Sequence, residues 1–177
     1  MAKRADLMAG ALGEGGLVLA IAAIAYVTHE PLLFASLGPT AYEQVETPTQ
    51  KSARLWNVMV GHFIALAAGF FALWVLGTWA APKVTVSSFV PAARMWTATL
   101  AATITAVGCL LAKASQPAAL STTLLVSLGS MQTERDALAI IAGVLLIGIL
   151  GEPVRRFRVT QKESEQGMES SQEPRAA

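Results

Sequence analysis

The chain has 177 residues, 54% of them hydrophobic and only 14% charged, with a formal net charge of +1. A soluble domain carries about 25% charged residues and places charge on the outer face of each helix, so long uncharged stretches exclude a soluble globular fold. The mean hydropathy of +0.52 agrees, and the near-neutral balance leaves no basic field for nucleic acid.

The side-chain inventory excludes further classes. Cys109 is the single cysteine, so no disulfide forms within one chain, and its apolar setting marks a buried thiol. His29 and His62 are isolated from each other, which leaves no metal-ligand spacing. No glycine-rich phosphate loop, nucleophile elbow or nucleophile–base pair is present, so neither an enzyme nor a cofactor is expected.

In chain order, residues 1–6 carry Lys3 and Arg4 and precede an expected span over 7–28 with one charge, Glu14. Glu14 inside the apolar run argues for a retained span rather than a cleaved signal peptide. Beginning the span after Glu14 would leave about 21 Å of helix, so the carboxyl lies roughly 10 Å inside. There it either faces a bundle interior, where it could carry a coupling proton, or snorkels to the headgroups past Gly13, Gly15 and Gly16.

Pro31–Gly38 is a short apolar segment. As a helix it covers about 12 Å, well under the ~30 Å hydrocarbon core. Such a segment dips into a bilayer only where protein or a water-filled cavity satisfies its backbone. A polar connection follows to Arg54, then a span over 55–81 with Gly61, Ala65 and Gly69 on one small-residue face. A third span is expected over 89–112, with Ala98, Ala102 and Ala106 as its small face. A second short segment covers 116–129, and a fourth span covers 137–151, ended by Glu152 and Pro153. Residues 153–177 are rich in Gln, Glu and Ser and read as a disordered tail.

The expected fold is all-α: four transmembrane helices plus two short non-spanning, re-entrant helices, arranged as two similar halves. Each half reads span, short segment, polar connection, span, and the tripeptides Ser36-Leu37-Gly38 and Ser127-Leu128-Gly129 end the two short segments. With two full crossings per half, the halves are expected to point the same way, about an axis along the membrane normal. Four spans place both tails and the 82–94 connection on one side with Lys3, Arg4, Lys83, Arg94, Arg155, Arg156, Arg158 and Lys162, against Lys51, Arg54, Lys113 and Arg135 opposite. The positive-inside rule then makes both tails cytoplasmic, in the inner (plasma) membrane, with both short segments on the far side. The small-residue faces predict a homo-oligomer.

The run PLLFASLGPTA, a polar gap and then NVMVGH is similar to the first half of the HPP family of small bacterial and plastid membrane proteins. Where that family carries His-Pro-Pro followed by small residues and hydroxyls, this chain has Gln116-Pro117-Ala118-Ala119-Leu120-Ser121-Thr122-Thr123, which keeps only Pro117 of the three. The resemblance covers about 7–151 and implies four spans and a transport role, since plant and cyanobacterial members are linked to nitrite.

The candidate solute site is therefore Ser36, Gly38, Thr40, Asn57, His62, Gln116, Pro117, Ser121 and Thr122, with Glu14 for proton coupling. A short helix starting at depth offers unpaired N–H groups to an anion, whereas one ending there offers carbonyls to a cation. Gly38-Pro39-Thr40 resembles a helix beginning, and Ser115 and Pro117 followed by Ser121 to Thr123 read similarly, so starts at depth and an inorganic anion are favoured. The alternatives stay open. The short segments merely plug the bundle, hydroxyls bond their own backbone, His62 bonds a neighbouring helix, and the protein is a scaffold. Asn57 stands some 140° round the helix from His62 and need not share its face.

Overall fold

A computed structural model describes residues 2–85 and 89–172 and shows an all-α protein. Its six helices are α1 (Ala2–Thr28), α2 (Leu37–Glu46), α3 (Leu55–Leu76), α4 (Ala92–Leu111), α5 (Ala118–Ser127) and α6 (Glu134–Gln172). Four of them, α1, α3, α4 and α6, contain stretches long and apolar enough to cross a bilayer. At ten residues each, α2 and α5 are about 15 Å long and do not span by themselves.

The helices alternate in direction, which follows from who touches whom. Gly10 and Gly13 of α1 lie against Glu46 and Val45, so α1 and α2 are antiparallel. Gly143 of α6 meets Phe34 and Leu37 while Gly151 meets Gln44, so α2 runs parallel to α6. Gly61 of α3 meets Gln116 and Ala119 while Gly69 meets Val126, so α5 runs parallel to α3. Gly148 of α6 packs on Leu55 and Met59, and Ile140 lies with Leu66. These contacts make α3 and α6 antiparallel. The core is built where these contacts meet, from Ile21, Leu37, Val45, Val58, Leu66, Leu73, Val126, Val144 and Ile147.

Each short helix is preceded by an extended lead that brings the chain to depth. Along the first lead, Leu32, Phe34 and Ser36 are buried and Leu33 and Ala35 exposed; along the second, Ala114 and Gln116 are buried and Ser115 and Pro117 exposed. This alternation is that of extended backbone, which advances up to ~3.3 Å per residue. Residues 31–34 add about 13 Å to the 15 Å of α2, and with the turn at 35–36 between them the two come close to the ~30 Å of the core. Both leads are entered through a left-handed residue that is not glycine, His29 (φ 56°) and Lys113 (φ 52°). The helix ends by an αL turn there and re-emerges as extended chain.

The halves are thus α1–lead–α2–α3 and α4–lead–α5–α6, each making three traverses. An odd number of traverses inverts the second half relative to the first, so the two are related by an axis in the membrane plane. The expected same-way arrangement is corrected, because it counted only the apolar spans. The Ser-Leu-Gly tripeptides do not correspond either: the first begins α2 and the second ends α5. Matching α2 to α5 instead pairs Leu37 with Ala118.

Other expectations shift with this. The apolar run opens with the lead, extended over 31–34 and turning at 35–36, and the first short helix occupies 37–46, most of it in the expected polar connection. Gly38-Pro39 lies in the first turn of α2, a helix beginning as its sequence suggested, where Pro needs no hydrogen-bonded N–H. The short segments open to opposite sides rather than one. The 82–94 connection lies opposite both chain ends, since Val84 N–H donates to Leu128 O and the Gln132 amide to Trp79 O, at the far ends of α5 and α3.

The final helix also differs from its expected end at Gly151. It continues through Pro153 as α6 to Gln172 in place of a disordered tail, and residues 173–177 lie outside the described residues. Its extension is held by the end of α2: Arg155 donates to Pro48 O, Arg158 to Val45 O and Lys162 to Glu46 O. The small face Gly61/Ala65/Gly69 is occupied by α5 within the chain.

Accessibility labelling checks the inverted topology. In a Cys109→Ser background, single cysteines at 51 and 113 should react from the same side as one at position 170, and a cysteine at 83 from the other. Reaction at 83 from the side of 170 would restore the parallel arrangement.

Candidate solute-binding site

The two short helices meet near the middle of the bundle. Leu37, the first residue of α2, lies level with Gly143, nine residues or about 14 Å into α6. His62 stands seven residues past the start of α3, about 11 Å in from the side of the chain ends. Both short helices therefore begin at depth and run outward, one toward each face.

At this meeting point Ser36, Thr40, His62 and Thr122 are all buried, at 0%, 0%, 1% and 0% relative exposure. Ser36 Oγ lies 2.7 Å from Thr122 Oγ1, which lies 2.8 Å from His62 Nδ1. The other imidazole nitrogen, Nε2, is 3.1 Å from Thr40 Oγ1, and that hydroxyl donates to Ser36 O at 2.9 Å. The four side chains close a ring that begins and ends at Ser36.

Proton counting orients the ring. A hydroxyl has one proton, and that of Thr40 is spent on Ser36 O. Nε2–H must then donate to Thr40. Thr122 donates to Nδ1 of a neutral imidazole, and Ser36 donates to Thr122. The tautomer is assigned from this network. Buried polar groups cost several kcal/mol each when unpartnered in lipid, so a ring in which each proton is used holds α2, α3 and α5 together without water.

Of the other expected site residues, Asn57 donates through Nδ2 to Ser115 O at 3.1 Å and so satisfies broken backbone in the second lead. Gln116 is buried at 4% exposure, with neither amide atom well partnered. Gly38 and Ser121 are half-buried and Pro117, which precedes α5, is exposed; none of the three joins the ring. Glu14 is half-buried on α1, which packs against α2 and α6, and it too stays outside the ring.

Three polar residues of consequence were not singled out in the sequence. Arg94 is fully buried and donates to Ala81 O, Pro82 O, Ser127 O and Gln132 Oε1, which closes the C-terminal end of α5. Arg158, buried at 1%, does the same for α2 through Val45 O and also pairs with Asp6 at 2.8 Å. A cation against helix C-terminal carbonyls is favourable on dipole grounds. Glu43 of α2 faces Ser52 and Gln116. Little local marks these roles: apart from Gln161, which accepts from Arg158 three residues before it, their partners are brought in from distant parts of the chain by the fold.

The space around the ring is narrow. The gap beside His62, lined by Phe63, Leu66, Ile140, Ile141 and Val144, has no room for a water molecule. A larger hollow of about 320 Å³ lies between α4 and the second lead, by Thr105, Cys109, Ser115 and Gln116. Among the described residues no group of three or more His, Cys, Asp or Glu could hold a metal ion.

Four apolar spans and two short helices starting at depth define a helical integral membrane protein. A family model described as "HPP, transmembrane region" matches residues 1–155, and the chain belongs to that family. Comparison with curated proteins and with solved structures gives no match.

Replacing Thr122 with Val leaves both the Ser36 hydroxyl and His62 Nδ1 without a partner. Thermal unfolding in mild detergent should show a loss of about 1–3 kcal/mol. Ser121→Ala, its neighbour outside the ring, should stay within about 0.5 kcal/mol of wild type.

Proposed function

We propose that the chain is a membrane transporter or channel for a small solute, an inorganic anion such as nitrite, and that the solute passes at the Ser36–Thr40–His62–Thr122 ring. The observation that carries this reading is the position of the ring. It lies where two inverted halves meet and where two discontinuous segments begin at depth. Binding sites of transporters built from inverted repeats form at such repeat interfaces, with half-helix N-termini turned toward anionic groups. Ser36, Thr122 and the His62 N–H each carry a proton that can turn from the ring to an entering anion. An anion is also favoured by the N-terminal end of α2 at the ring itself. The direct side-chain contacts of the ring and the lack of space beside His62 fit a closed state, in which a solute must open the contact rather than occupy a standing pore.

Both chain ends are placed in the cytoplasm of a cell whose plasma membrane holds the protein. The observed connections put Lys3, Arg4, Lys51, Arg54, Lys113, Arg155, Arg156, Arg158 and Lys162 on that side and Lys83, Arg94 and Arg135 on the other, a steeper asymmetry than four spans gave. Homo-oligomer formation, which the small faces suggested, would fall to the Ala98–Ala102–Ala106 face, since the face on α3 is filled by α5.

Flux into proteoliposomes tests the reading, with nitrite, nitrate and chloride offered separately against protein-free vesicles. Thr122→Val and His62→Phe should each lower flux about tenfold or more at matched protein level, an effect of about 1.4 kcal/mol; Ser121→Ala should lower it far less. Cation-selective flux lost in the same variants would keep the site and reverse its charge preference, and wild-type flux in both would remove the site.

A further inference from the structure

Helix packing divides the molecule into two bodies that differ from the two halves of the sequence. α1 packs on α2 and α6, and α4 packs on α3 and α5. Gly143 and Gly151 of α6 hold α2 close, and Gly61 and Gly69 of α3 hold α5. One body is therefore α1, α2 and α6, and the other is α3, α4 and α5. The second runs in sequence from the start of α3 to the end of α5, and the first is divided between the two ends of the chain. The chain passes between them through 47–54, on the side of the chain ends, and 128–133, on the opposite side.

Contacts within a body differ in kind from those between bodies. In the first body Arg158 holds Asp6 and Val45 O, Lys162 holds Glu46 O, and Glu30 pairs with Arg135. In the second Asn57 holds Ser115 O, Arg94 holds Ser127 O, and Thr105 bonds Thr123. The seam between the bodies is largely apolar. Ile140, Ile141 and Val144 of α6 and Phe63 and Leu66 of α3 line the gap beside His62, and Gly148 of α6 meets the side-chain ends of Leu55 and Met59. Its polar part is the ring. Ser36 and Thr40 belong to the first body and His62 and Thr122 to the second, so the Ser36–Thr122 and Thr40–His62 bonds cross the seam. The other two ring bonds lie inside one body each. Glu43 and Gln116 also face each other across it.

We propose that the two bodies move against each other as units, that solute passes along the seam, and that Ile140 and Val144 of α6 form the wall it meets beside His62. This rests on the transport reading above and deepens it. Parting the bodies breaks the Ser36–Thr122 and Thr40–His62 bonds, which frees hydroxyl and imidazole groups to meet a solute. The rest of the seam is mainly apolar surface, which gains little by leaving lipid and so parts readily. Parting the sequence halves instead would pull α5 from α4's neighbour α3 and α2 from α6. Ser115 O would then lose Asn57 and Val45 O would lose Arg158, which leaves carbonyls bare in the membrane. The moving unit is thus set by the glycine contacts and the side chains that serve backbone carbonyls, and each unit mixes both halves.

Two cysteine pairs separate these movements, because both join the sequence halves and one joins the bodies as well. An added Cβ at Gly108 stands 4.0 Å from Ile64 Cβ, within disulfide range, and links α4 to α3 inside the second body. One at Gly148 stands 3.0 Å from Met59 Sδ and links α6 to α3 across the seam. In a Cys109→Ser background, Met59→Cys with Gly148→Cys and Ile64→Cys with Gly108→Cys are bridged by a short bis-methanethiosulfonate, scored by loss of free thiols, and released by reductant. Nitrite exchange is followed in proteoliposomes and corrected for protein-free vesicles. Bridging 59 to 148 should lower exchange about tenfold or more, with recovery on reduction, and bridging 64 to 108 should leave it within about twofold. In a second arm, single Val144→Cys and Ala101→Cys proteins meet a small thiol reagent. Both positions are buried, one in the seam and one on the packed face of α4, and 144 should react faster. Exchange stopped by the 64–108 bridge, or unaffected by the 59–148 bridge, overturns the moving bodies while leaving transport intact. Absence of exchange in wild type removes the transport reading and the solute path with it. The labelling then decides the movement alone: position 144 reacting no faster than 101 overturns it.

Discussion

A main chain that leaves helical geometry inside a bilayer must find partners for its N–H and C=O groups in protein, because lipid offers none. This chain leaves it twice, at residues 29–36 and 112–117, and much of the remaining structure answers that demand. Asn57 reaches Ser115 O. The carbonyls at the outward ends of α2 and α5 are taken by Arg158 and Arg94, two buried guanidinium groups from the helices beside them. The inward ends are joined through the Ser36–Thr122 contact and the imidazole between Thr122 and Thr40. Polar groups that would be costly alone are affordable here because each is used by another.

The same demand explains the placement of glycine. The short helices must lie close against α3 and α6 for their ends to be reached. Gly61 and Gly69 on α3, and Gly143 and Gly151 on α6, sit where an added Cβ would approach the neighbouring segment within 3 Å. Each pair is separated by two helical turns, and each receives the short helix that runs parallel to it. In the membrane, where apolar side chains gain little by leaving lipid, such close backbone approach supplies the packing that favours association.

Much of this was legible in the sequence, and the failures have a common cause. Long apolar runs announce spans, so α1, α3 and α4 appear nearly where expected and α6 begins three residues before its expected start. The ring's residues were also within reach, since Ser36, Thr40, His62 and Thr122 lie in the stretches that resemble the family. Hydropathy, however, cannot separate an apolar helix from an apolar extended segment of similar length. Hydropathy puts a short helix at Pro31–Gly38 and a connection after it, whereas the helix is Leu37–Glu46, with Glu43, Gln44 and Glu46 in the expected connection. That one exchange hid a traverse in the first half. The halves consequently looked parallel, and the 82–94 connection fell on the wrong side. Arg94 and Arg158 were counted as loop charges because the carbonyls they serve are distant in sequence.

The polarity of α2 bears on how the protein is made. A ten-residue helix with Thr40, Glu43, Gln44 and Glu46 is too short and too polar to enter a bilayer as an independent segment. It lies against Gly143 and Gly151, and Arg158 and Lys162 donate to its terminal carbonyls; all four belong to α6, which is synthesised well after it. The first half, though made before the second, cannot settle before α6 is made. Until then its three segments persist as two spans with an unplaced strand between them, and the inverted pair assembles from both halves together rather than half by half.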